Sequence, residues 1–355
     1  MQVIITSPSV DIAENVSGIS AVTRFITSYN TGCRYTHFTL GKKDSQKRNL
    51  RWLLSFFGLY ARWLCTMVVR RDALIHFNIA FDKRGLIRDS PLIITARLLG
   101  RRVIVHIHGG EFLTAPLPPQ WFRRLASIVL RSGPVIVLSG REQKRLEEYV
   151  TKSTIFVLPN CISVQEAAAF ERTFADCEPL RLLFLGRIEP NKGIDVLYAA
   201  LEEAKARGVP FRFALAGSGP AEKTYVELFR NLLGSDFEFL GVVEGEKKLE
   251  VLKDCDVFVL PSRFEGLPIA LLECMAFGLV PIITDVGSMA SVALHGSRGL
   301  IVDRPESQAV VDALCTLVGD REYLHTLSRN CREYILETCR TDRYISELNR
   351  VYQHG

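Results

Sequence analysis

Short apolar runs alternate with longer amphipathic stretches along the whole chain. The first half contains the runs 3–6, 74–79, 103–109, 135–139 and 155–160. The second half contains the runs 180–188, 211–217, 237–241, 257–262, 281–285 and 300–303. Hydrophobicity within these runs is continuous rather than alternating, which is typical of parallel strands covered by helices on both faces. The pattern therefore predicts two doubly wound α/β domains with parallel sheets.

A polar segment, 163–179, predicts the boundary between these domains. We expect an N-terminal domain over 1–165 and a second domain over 166–340. Residues 341–355 have the pattern of an amphipathic helix, which we expect to pack back on the first domain. Parallel sheets bind ligands at the carboxyl ends of their strands, so two such domains facing each other would form a central cleft for a ligand.

Composition agrees with a globular protein of two domains. The 355 residues are 48% hydrophobic and 23% charged, which is long for a single core. The nine cysteines are odd in number and scattered, without the spacing of a disulfide framework or a zinc site. The first residues lack the pattern of a signal peptide, so we expect a cytoplasmic location.

Charge is distributed unevenly between the two halves. The net charge is +5, but residues 1–166 carry 23 Lys and Arg against 11 Asp and Glu, or +12, and the rest carries −7. A basic half indicates an anionic partner, either nucleic acid or an acidic membrane surface. No nucleic-acid-binding motif accompanies the charge, so we expect no nucleic-acid partner.

Basic and aromatic residues are interleaved in the segment 42–71. Its apolar stretch is interrupted by Arg62 and is too short for a membrane span. Basic residues with Trp and Phe fit a helix that lies on an anionic membrane surface. The predicted contact residues are Arg51, Trp52, Phe56 and Trp63. The alternative is a domain helix that packs its aromatic side chains on the sheet.

Two cations follow the strand 180–188 in the loop GRIEPNKGID. Arg187 and Lys192 lie in a Gly/Pro turn that opens a helix. A helix N-terminus together with a guanidinium and an ammonium group can hold a diphosphate. The alternative is that both side chains are solvated surface cations.

The segment FEGLPIALLECMA contains a turn followed by a helix. Gly266 and Pro268 predict that the helix begins near residue 268. The backbone N–H groups of Gly266, Leu267 and Ile269 would then point out of the helix start.

Two glutamates flank this helix start. Glu265 lies in the loop, and Glu273 follows at a distance of roughly 12 Å along the helix. Such a pair can hold two ends of an elongated, hydroxyl-rich ligand. The alternative is a surface position for Glu265 and a structural role for Glu273.

The order of motifs over 180–303 resembles the donor-binding domain of the family 4 glycosyltransferases, which have the GT-B fold. These motifs are LFLGRIEPNKGID, ALAGSGP, FLGVV, DVFVLPSRFEGLPIALLECMAFGLVPIITDVG and GLIVD. The family signature is two glutamates separated by seven residues, which Glu265 and Glu273 match.

The resemblance implies roles for the second half by position. Arg187 and Lys192 would bind the nucleotide diphosphate, and Glu273 the ribose hydroxyls. The region around Val243 would bind the base. The donor sugar would be bound by the catalytic residue Glu265 and by the backbone of Gly266, Leu267, Pro268 and Ile269.

In the first half, NVSGISAV resembles the glycine loop of the family and HIHGGEF its histidine loop. Gly18 would let the backbone approach the phosphates, and His108 would lie beside the transferred sugar as a catalytic residue. His106 is interpreted as structural. The chain departs from the family pattern at Ser17 and Ser291, where many relatives carry Gly and Glu.

The resemblance implies a retaining transfer of sugar from a nucleotide-diphosphate sugar to a hydroxyl of a glycan or lipid-linked acceptor. UDP is expected from its frequency in the family. The products would be cell-surface polysaccharide or glycolipid, and the enzyme would be peripheral on the inner face of the cell membrane. In this mechanism cationic side chains take the place of a metal, so no metal and no other cofactor is expected.

Three alternatives have different sequence requirements. An oxidoreductase is disfavoured because Gly217 and Gly219 are not followed by the third glycine of a dinucleotide fingerprint. A nucleotide-sugar isomerase or epimerase of the GT-B fold remains open, because fold alone does not specify function. An inactive, membrane-bound sugar-nucleotide-binding protein is disfavoured because every donor motif is present.

Overall fold

The computed structural model describes residues 1–12, 14–41, 50–114, 117–131, 133–150, 153–173 and 179–354, excepting the side chains of 50–55 and 114. The chain divides into two compact units. Unit 1 comprises Met1–Cys161 with Thr341–Gly355, and unit 2 comprises Ile162–Arg340. The division thus lies at 161/162, where the sequence led us to expect 165/166.

Unit 1 is built on a sheet of six parallel strands within its described residues. These are β1 Gln2–Ser7, β2 Arg34–Thr39, β3 Leu74–Ile79, β4 Val103–Ile107, β5 Val135–Val137 and β6 Ile155–Val157. Their order is β2-β1-β3-β4-β5-β6. The helices between them are α1 Gly18–Tyr29, α2 Leu50–Val69, α3 Lys83–Leu98, α4 Glu111–Thr114, α5 Gln120–Leu130 and α6 Gly140–Glu147.

Unit 2 has the same architecture. Its strands are β7 Leu180–Leu185, β8 Phe211–Ala216, β9 Phe237–Gly241, β10 Val257–Leu260, β11 Val280–Thr284 and β12 Leu300–Val302. They are parallel, in the order β12-β11-β10-β7-β8-β9. Its helices are α7 Gln165–Ala168, α8 Ile194–Ala206, α9 Glu222–Leu233, α10 Gly245–Asp254, α11 Ile269–Ala276, α12 Met289–Val292, α13 Ser307–Gly319 and α14 Arg321–Thr338.

The continuous apolar runs form the central strands, as the sequence pattern predicted. All six residues of β3 are buried, as are all four of β10. The predicted fold class, two doubly wound parallel sheets, is confirmed. The pattern missed β2, whose sequence RYTHFT buries only Phe38 and lies at the edge of the sheet.

The last helix, α15 Thr341–His354, is joined to the sheet of unit 1 by a chain of buried polar groups. The hydroxyl of Tyr352 lies 2.7 Å from Nδ1 of His76 and 3.2 Å from the hydroxyl of Tyr35. Nε2 of His76 lies 3.1 Å from Nδ1 of His106, and Asn30 donates to the Tyr35 hydroxyl. Because buried polar groups need partners, these contacts fix the position of α15 on the sheet.

Helix α2 packs its central tryptophan into the core of unit 1. The Trp63 side chain is fully buried, donates from Nε1 to the carbonyl of Leu92 over 3.0 Å, and packs edge-on against Phe38 and Phe77. The prediction that Trp63 contacts a membrane is therefore wrong, because its apolar surface is used by the sheet.

The other predicted membrane contacts lie on the same helix. The side chains of Arg51 and Trp52 lie outside the described part of the chain. Phe56 is half-buried, while its neighbour Phe57 is largely exposed. In the described residues, no helix combines the length and hydropathy required to cross a membrane.

Lowering the pH should destabilise unit 1 because it holds three neutral histidines, of which His76 and His106 are buried and His108 is partly buried. Burial lowers the pKa of His76 and of His108 to about 3, and holds the pKa of His106 well below its ordinary value. An unfolded histidine takes up a proton below about pH 6.5. The unfolding free energy should therefore be highest above that pH and fall as the pH drops towards the folded-state values, by roughly 1.4 kcal/mol per pH unit for each histidine.

Urea unfolding between pH 4.5 and 6.5, followed by tryptophan fluorescence, measures this slope. All three tryptophans belong to the segment of the chain assigned to unit 1. His106→Gln should reduce the slope by one histidine's share, whatever its effect on absolute stability. His354→Gln is the matched control, because it removes an exposed histidine. Equal slopes in the wild type and in His106→Gln would contradict this account.

Candidate active site

The strand order of unit 2 indicates where a ligand binds. Strand β7 lies between β8 and β10. From β7 the chain first adds β8 and β9 on one side of the sheet and then adds β10, β11 and β12 on the other side. Ligands of open parallel sheets bind outside the carboxyl ends of the strands where the order reverses. The loops that leave β7 and β10 at this point are 186–193 and 261–268.

The last residue of the loop after β7, Gly193, determines how closely this loop approaches the loop after β10. Pro190–Lys192 form a 3₁₀ turn that leads through Gly193 into α8. Gly193 has φ +72°, and a Cβ atom on it would lie 2.0 Å from the carbonyl oxygen of Pro261. Only a residue without a side chain allows this approach, which places Lys192 beside the loop after β10.

The carboxylate of Glu265 is held by two donors. Nζ of Lys192 lies 2.7 Å from both of its oxygens, and the hydroxyl of Ser262 donates to Oε1 over 2.7 Å. The Glu265 side chain is 6% exposed, whereas that of Lys192 is 23% exposed. A carboxylate so deeply buried requires such partners. The structure thus joins two residues that the sequence analysis treated separately.

A second ion pair joins the loop after β10 to the first turn of α8. The guanidinium of Arg263 binds Asp195 through two hydrogen bonds of 2.8 and 2.7 Å, and its backbone N–H donates to the carbonyl of Asn191. The hydrogen bonds from Arg263 lower the pKa of Asp195. The pair was not predicted, because its members are 68 residues apart in the sequence.

The segment between Glu265 and α11 is held by the loop after β11. The carbonyl of Gly266 accepts from the backbone N–H of Ser288 over 2.8 Å. Gly287 has φ +58°, and a Cβ atom on it would lie 2.3 Å from the carbonyl oxygen of Glu265. Helix α11 begins at Ile269, one residue later than predicted, and has no side-chain N-cap.

Two further predicted donor residues, Val243 and Leu267, have buried side chains. Val243 follows β9 and Leu267 precedes α11. Their burial leaves the backbone as the part of these residues that a ligand can meet. The backbone role of Leu267 stays a prediction.

Glu273 is paired with a lysine that the sequence analysis did not single out. Its Oε1 lies 2.6 Å from Nζ of Lys248, which belongs to α10. The two side chains are 21% and 28% exposed. The 25 residues that separate them in sequence gave no indication of this contact.

In unit 1, the predicted glycine loop forms the start of α1. The side chain of Ser17 accepts from the backbone N–H of Ser20, and Asn15 Oδ1 accepts from the N–H of Ser17. Among the described atoms, none lies within 4 Å of a Cβ placed on Gly18. The first turn of α1 is thus capped, and Gly18 borders open space.

His108 follows β4 in unit 1 and has a fixed orientation. Its Nε2 lies 2.7 Å from Oδ1 of Asn78, whose Nδ2 donates to the carbonyl of Thr6 over 2.7 Å. Because the amide nitrogen is used by Thr6, the amide oxygen faces His108, and Nε2 carries the proton. His106 is fully buried. The interpretation of His106 as structural is confirmed.

The predicted site residues are divided between the two units. Of the predicted catalytic and donor-binding residues, Gly18 and His108 lie in unit 1, and the others lie in unit 2. Arg187 has its Nε 3.7 Å from Glu189, within the loop that carries Lys192. Cations beside the start of α8 and acidic acceptors near α11 suit an anionic ligand that also carries hydroxyl groups. The individual roles of these residues stay predictions.

Comparisons with known proteins give a consistent family. The family model described as Glycosyl transferases group 1 matches residues 166–334. The GDP-mannose:cellobiosyl-diphosphopolyprenol alpha-mannosyltransferase of Xanthomonas oryzae is 31% identical over 238 residues, which are 64% of this chain and 60% of that protein. An uncharacterized glycosyltransferase of Methanocaldococcus jannaschii is 30% identical over 267 residues, which are 74% of this chain and 70% of that protein.

Solved structures show the same fold. Anabaena Alr3699/HepE in complex with UDP-glucose matches with a TM-score of 0.76 at 18% identity, covering 99% of both chains. The GT-B fold that the resemblance implied is therefore confirmed. Together with the match over unit 2 and the archaeal relative, this shows that the chain belongs to the group 1 glycosyl transferases.

Proposed function

We propose that this chain is a glycosyltransferase that moves a sugar from a nucleotide-diphosphate sugar to a hydroxyl of a glycan or lipid-linked acceptor. The observation that carries the proposal is the Lys192–Glu265 pair at the point where the strand order of unit 2 reverses. It combines a cation suited to a diphosphate with an acceptor suited to a sugar hydroxyl. The family of the chain supports the same reaction, in polysaccharide or glycolipid synthesis.

The proposed donor carries UDP. Alr3699/HepE, which shares the fold, is in complex with UDP-glucose, whereas the Xanthomonas relative is named for GDP-mannose. The base would meet backbone groups near Val243, since that side chain is buried. Thermal-shift measurements with UDP, GDP and ADP sugars distinguish these donors, because a ligand stabilises the folded state that binds it.

The proposed mechanism retains the configuration at the anomeric carbon and requires no metal. The bond from the anomeric carbon to the diphosphate oxygen breaks, and the charge on the leaving diphosphate is stabilised by Arg187, Lys192 and the start of α8. The acceptor oxygen bonds to the anomeric carbon on the same face, and its proton passes to the diphosphate. His108 is assigned to the transferred sugar by the resemblance and would act there as a neutral imidazole.

In this mechanism, one oxygen of the Glu265 carboxylate exchanges Lys192 for a hydroxyl of the donor sugar. With Lys192 as its ion-pair partner, its charge is balanced in the absence of substrate. A diphosphate attracts the same ammonium group, so donor binding would release one carboxylate oxygen to a hydroxyl of the sugar. The buried position of Glu265 favours this exchange, because a released carboxylate needs a new donor.

Glu265→Gln should lower sugar transfer by about 100-fold or more, the size expected when one transition-state contact is lost. The measurement is transfer of radiolabel from UDP-sugars and GDP-mannose to a lipid extract, with and without EDTA. The control Glu250→Gln changes an exposed acid of α10 and should retain activity.

Three outcomes of this assay would overturn the proposal. Full activity of Glu265→Gln would show that the Glu265 carboxylate has no role in sugar transfer. Conversion of the donor to another nucleotide sugar without transfer would indicate an isomerase. Nucleotide binding without any turnover would indicate an inactive sugar-nucleotide-binding protein.

We also propose that unit 1 binds an anionic membrane surface through α2, α3 and α5. These helices pack side by side and expose large apolar side chains, among them Phe57, Leu98 and Ile128. The segment 1–166 carries a charge of +12, which complements anionic lipid. The proposed contact thus moves from Trp63, which the core uses, to side chains exposed on the same and neighbouring helices.

A triple variant, Phe57→Ser, Leu98→Ser and Ile128→Ser, should reduce binding to anionic vesicles by about tenfold or more, since each large apolar side chain contributes about 1.5–3 kcal/mol when buried. Flotation with phosphatidylglycerol vesicles measures the bound fraction, and high salt should also reduce it. Leu294→Ser changes an exposed leucine of unit 2 and serves as the control. Undiminished flotation of the triple variant would contradict this surface.

A further inference from the structure

Glu273 is anchored at one of its two oxygens. Nζ of Lys248 lies 2.6 Å from Oε1, and no other side chain of the described residues forms an ion pair or hydrogen bond with this carboxylate. Both side chains are partly exposed, so a ligand can reach the carboxylate without displacing the core. An ionised carboxylate only accepts hydrogen bonds, which leaves Oε2 available for a ligand that donates.

The helix that carries Lys248 begins just after the segment expected to hold the base. Helix α10 starts at Gly245, four residues after β9 ends at Gly241. Lys247, the preceding residue, donates to the carbonyl of Leu240 over 3.2 Å, which ties the first turn of α10 to the end of β9. Lys248 instead reaches α11. It therefore connects the first turn of α10, which follows Val243 in the sequence, to the carboxylate of Glu273.

This geometry constrains how the carboxylate meets a diol. Two neighbouring ribose hydroxyls are recognised by a carboxylate whose oxygens are held in one orientation, because each hydrogen bond weakens steeply away from its preferred angle. A glutamate side chain without a partner samples several rotamers and loses conformational entropy when it binds. The ammonium of Lys248 removes this freedom before the ligand arrives.

We propose that Lys248 is a positioning residue for recognition of the donor ribose, which it performs by holding Glu273 with Oε2 directed to the ribose hydroxyls. The inference rests on the proposed function, since it needs a nucleotide donor in unit 2. It adds a residue that acts through Glu273 and touches neither the diphosphate nor the transferred sugar.

Calorimetric titration of the full chain with UDP and with 2′,3′-dideoxy-UDP tests this role. The dideoxy nucleotide keeps the base and the diphosphate but lacks both hydroxyls. Lys248→Met should weaken UDP binding by about fivefold to tenfold, the range of a lost charge-assisted contact. Its affinity for dideoxy-UDP should equal that of the wild type. Lys248→Arg should restore most of the preference for UDP, and Lys253→Met, an exposed lysine at the end of α10, should leave both affinities unchanged.

The outcomes separate this inference from the proposed function. Equal losses for UDP and dideoxy-UDP in Lys248→Met would overturn the positioning role, because they would indicate a general effect of charge or folding. Unchanged affinity for UDP would overturn it as well. If the wild type binds GDP instead, the same comparison is made with GDP and dideoxy-GDP. A wild-type chain that binds none of UDP, GDP and ADP contradicts the proposed function and this inference with it.

Discussion

The pairing of the Glu265 carboxylate with Lys192 is the interaction on which the rest of the candidate site depends. A carboxylate that is 6% exposed is tolerated only with donors in place, and removal of one partner of a buried ion pair costs about 3–5 kcal/mol. Lys192 and Ser262 supply those donors. Lys192 lies in the loop after β7, and Glu265 lies in the loop after β10. This one contact therefore joins the two loops at the point where the strand order reverses.

The backbone makes that contact possible. Gly193 lets the loop after β7 lie against Pro261, and Gly287 lets the loop after β11 lie against Glu265. The Arg263–Asp195 pair connects the loop after β10 to the first turn of α8, outside the buried contact. Two ion pairs and two glycines thus hold these segments in one arrangement, and a site that is ordered in advance binds a ligand at a lower entropic cost.

The sequence predicted those parts of the structure that depend on local pattern. Continuous apolar runs predicted strands in both sheets. The edge strand β2 was not predicted, because its sequence RYTHFT is mostly polar and buries only Phe38. The prediction for Trp63 was wrong because an aromatic residue on an amphipathic helix can face either lipid or a sheet. Here its packing against Phe38 and Phe77 places it on the sheet. The ion partners of Glu265 and Glu273 were not predicted, because Lys192 and Lys248 reach them through the topology of the sheet, over 73 and 25 residues of sequence.

We expect Lys192 to bind an anionic ligand in addition to neutralising Glu265. The most direct measurement compares UDP affinity in Glu265→Gln with that in the double variant Lys192→Met with Glu265→Gln. Both lack the buried carboxylate, so they differ only in the ammonium group. We expect Glu265→Gln to bind UDP at least as tightly as the wild type, and the double variant to bind it about tenfold or more weakly, as expected for a lost contact to phosphate. Equal UDP affinities in the two variants would show that Lys192 is only the structural partner of Glu265.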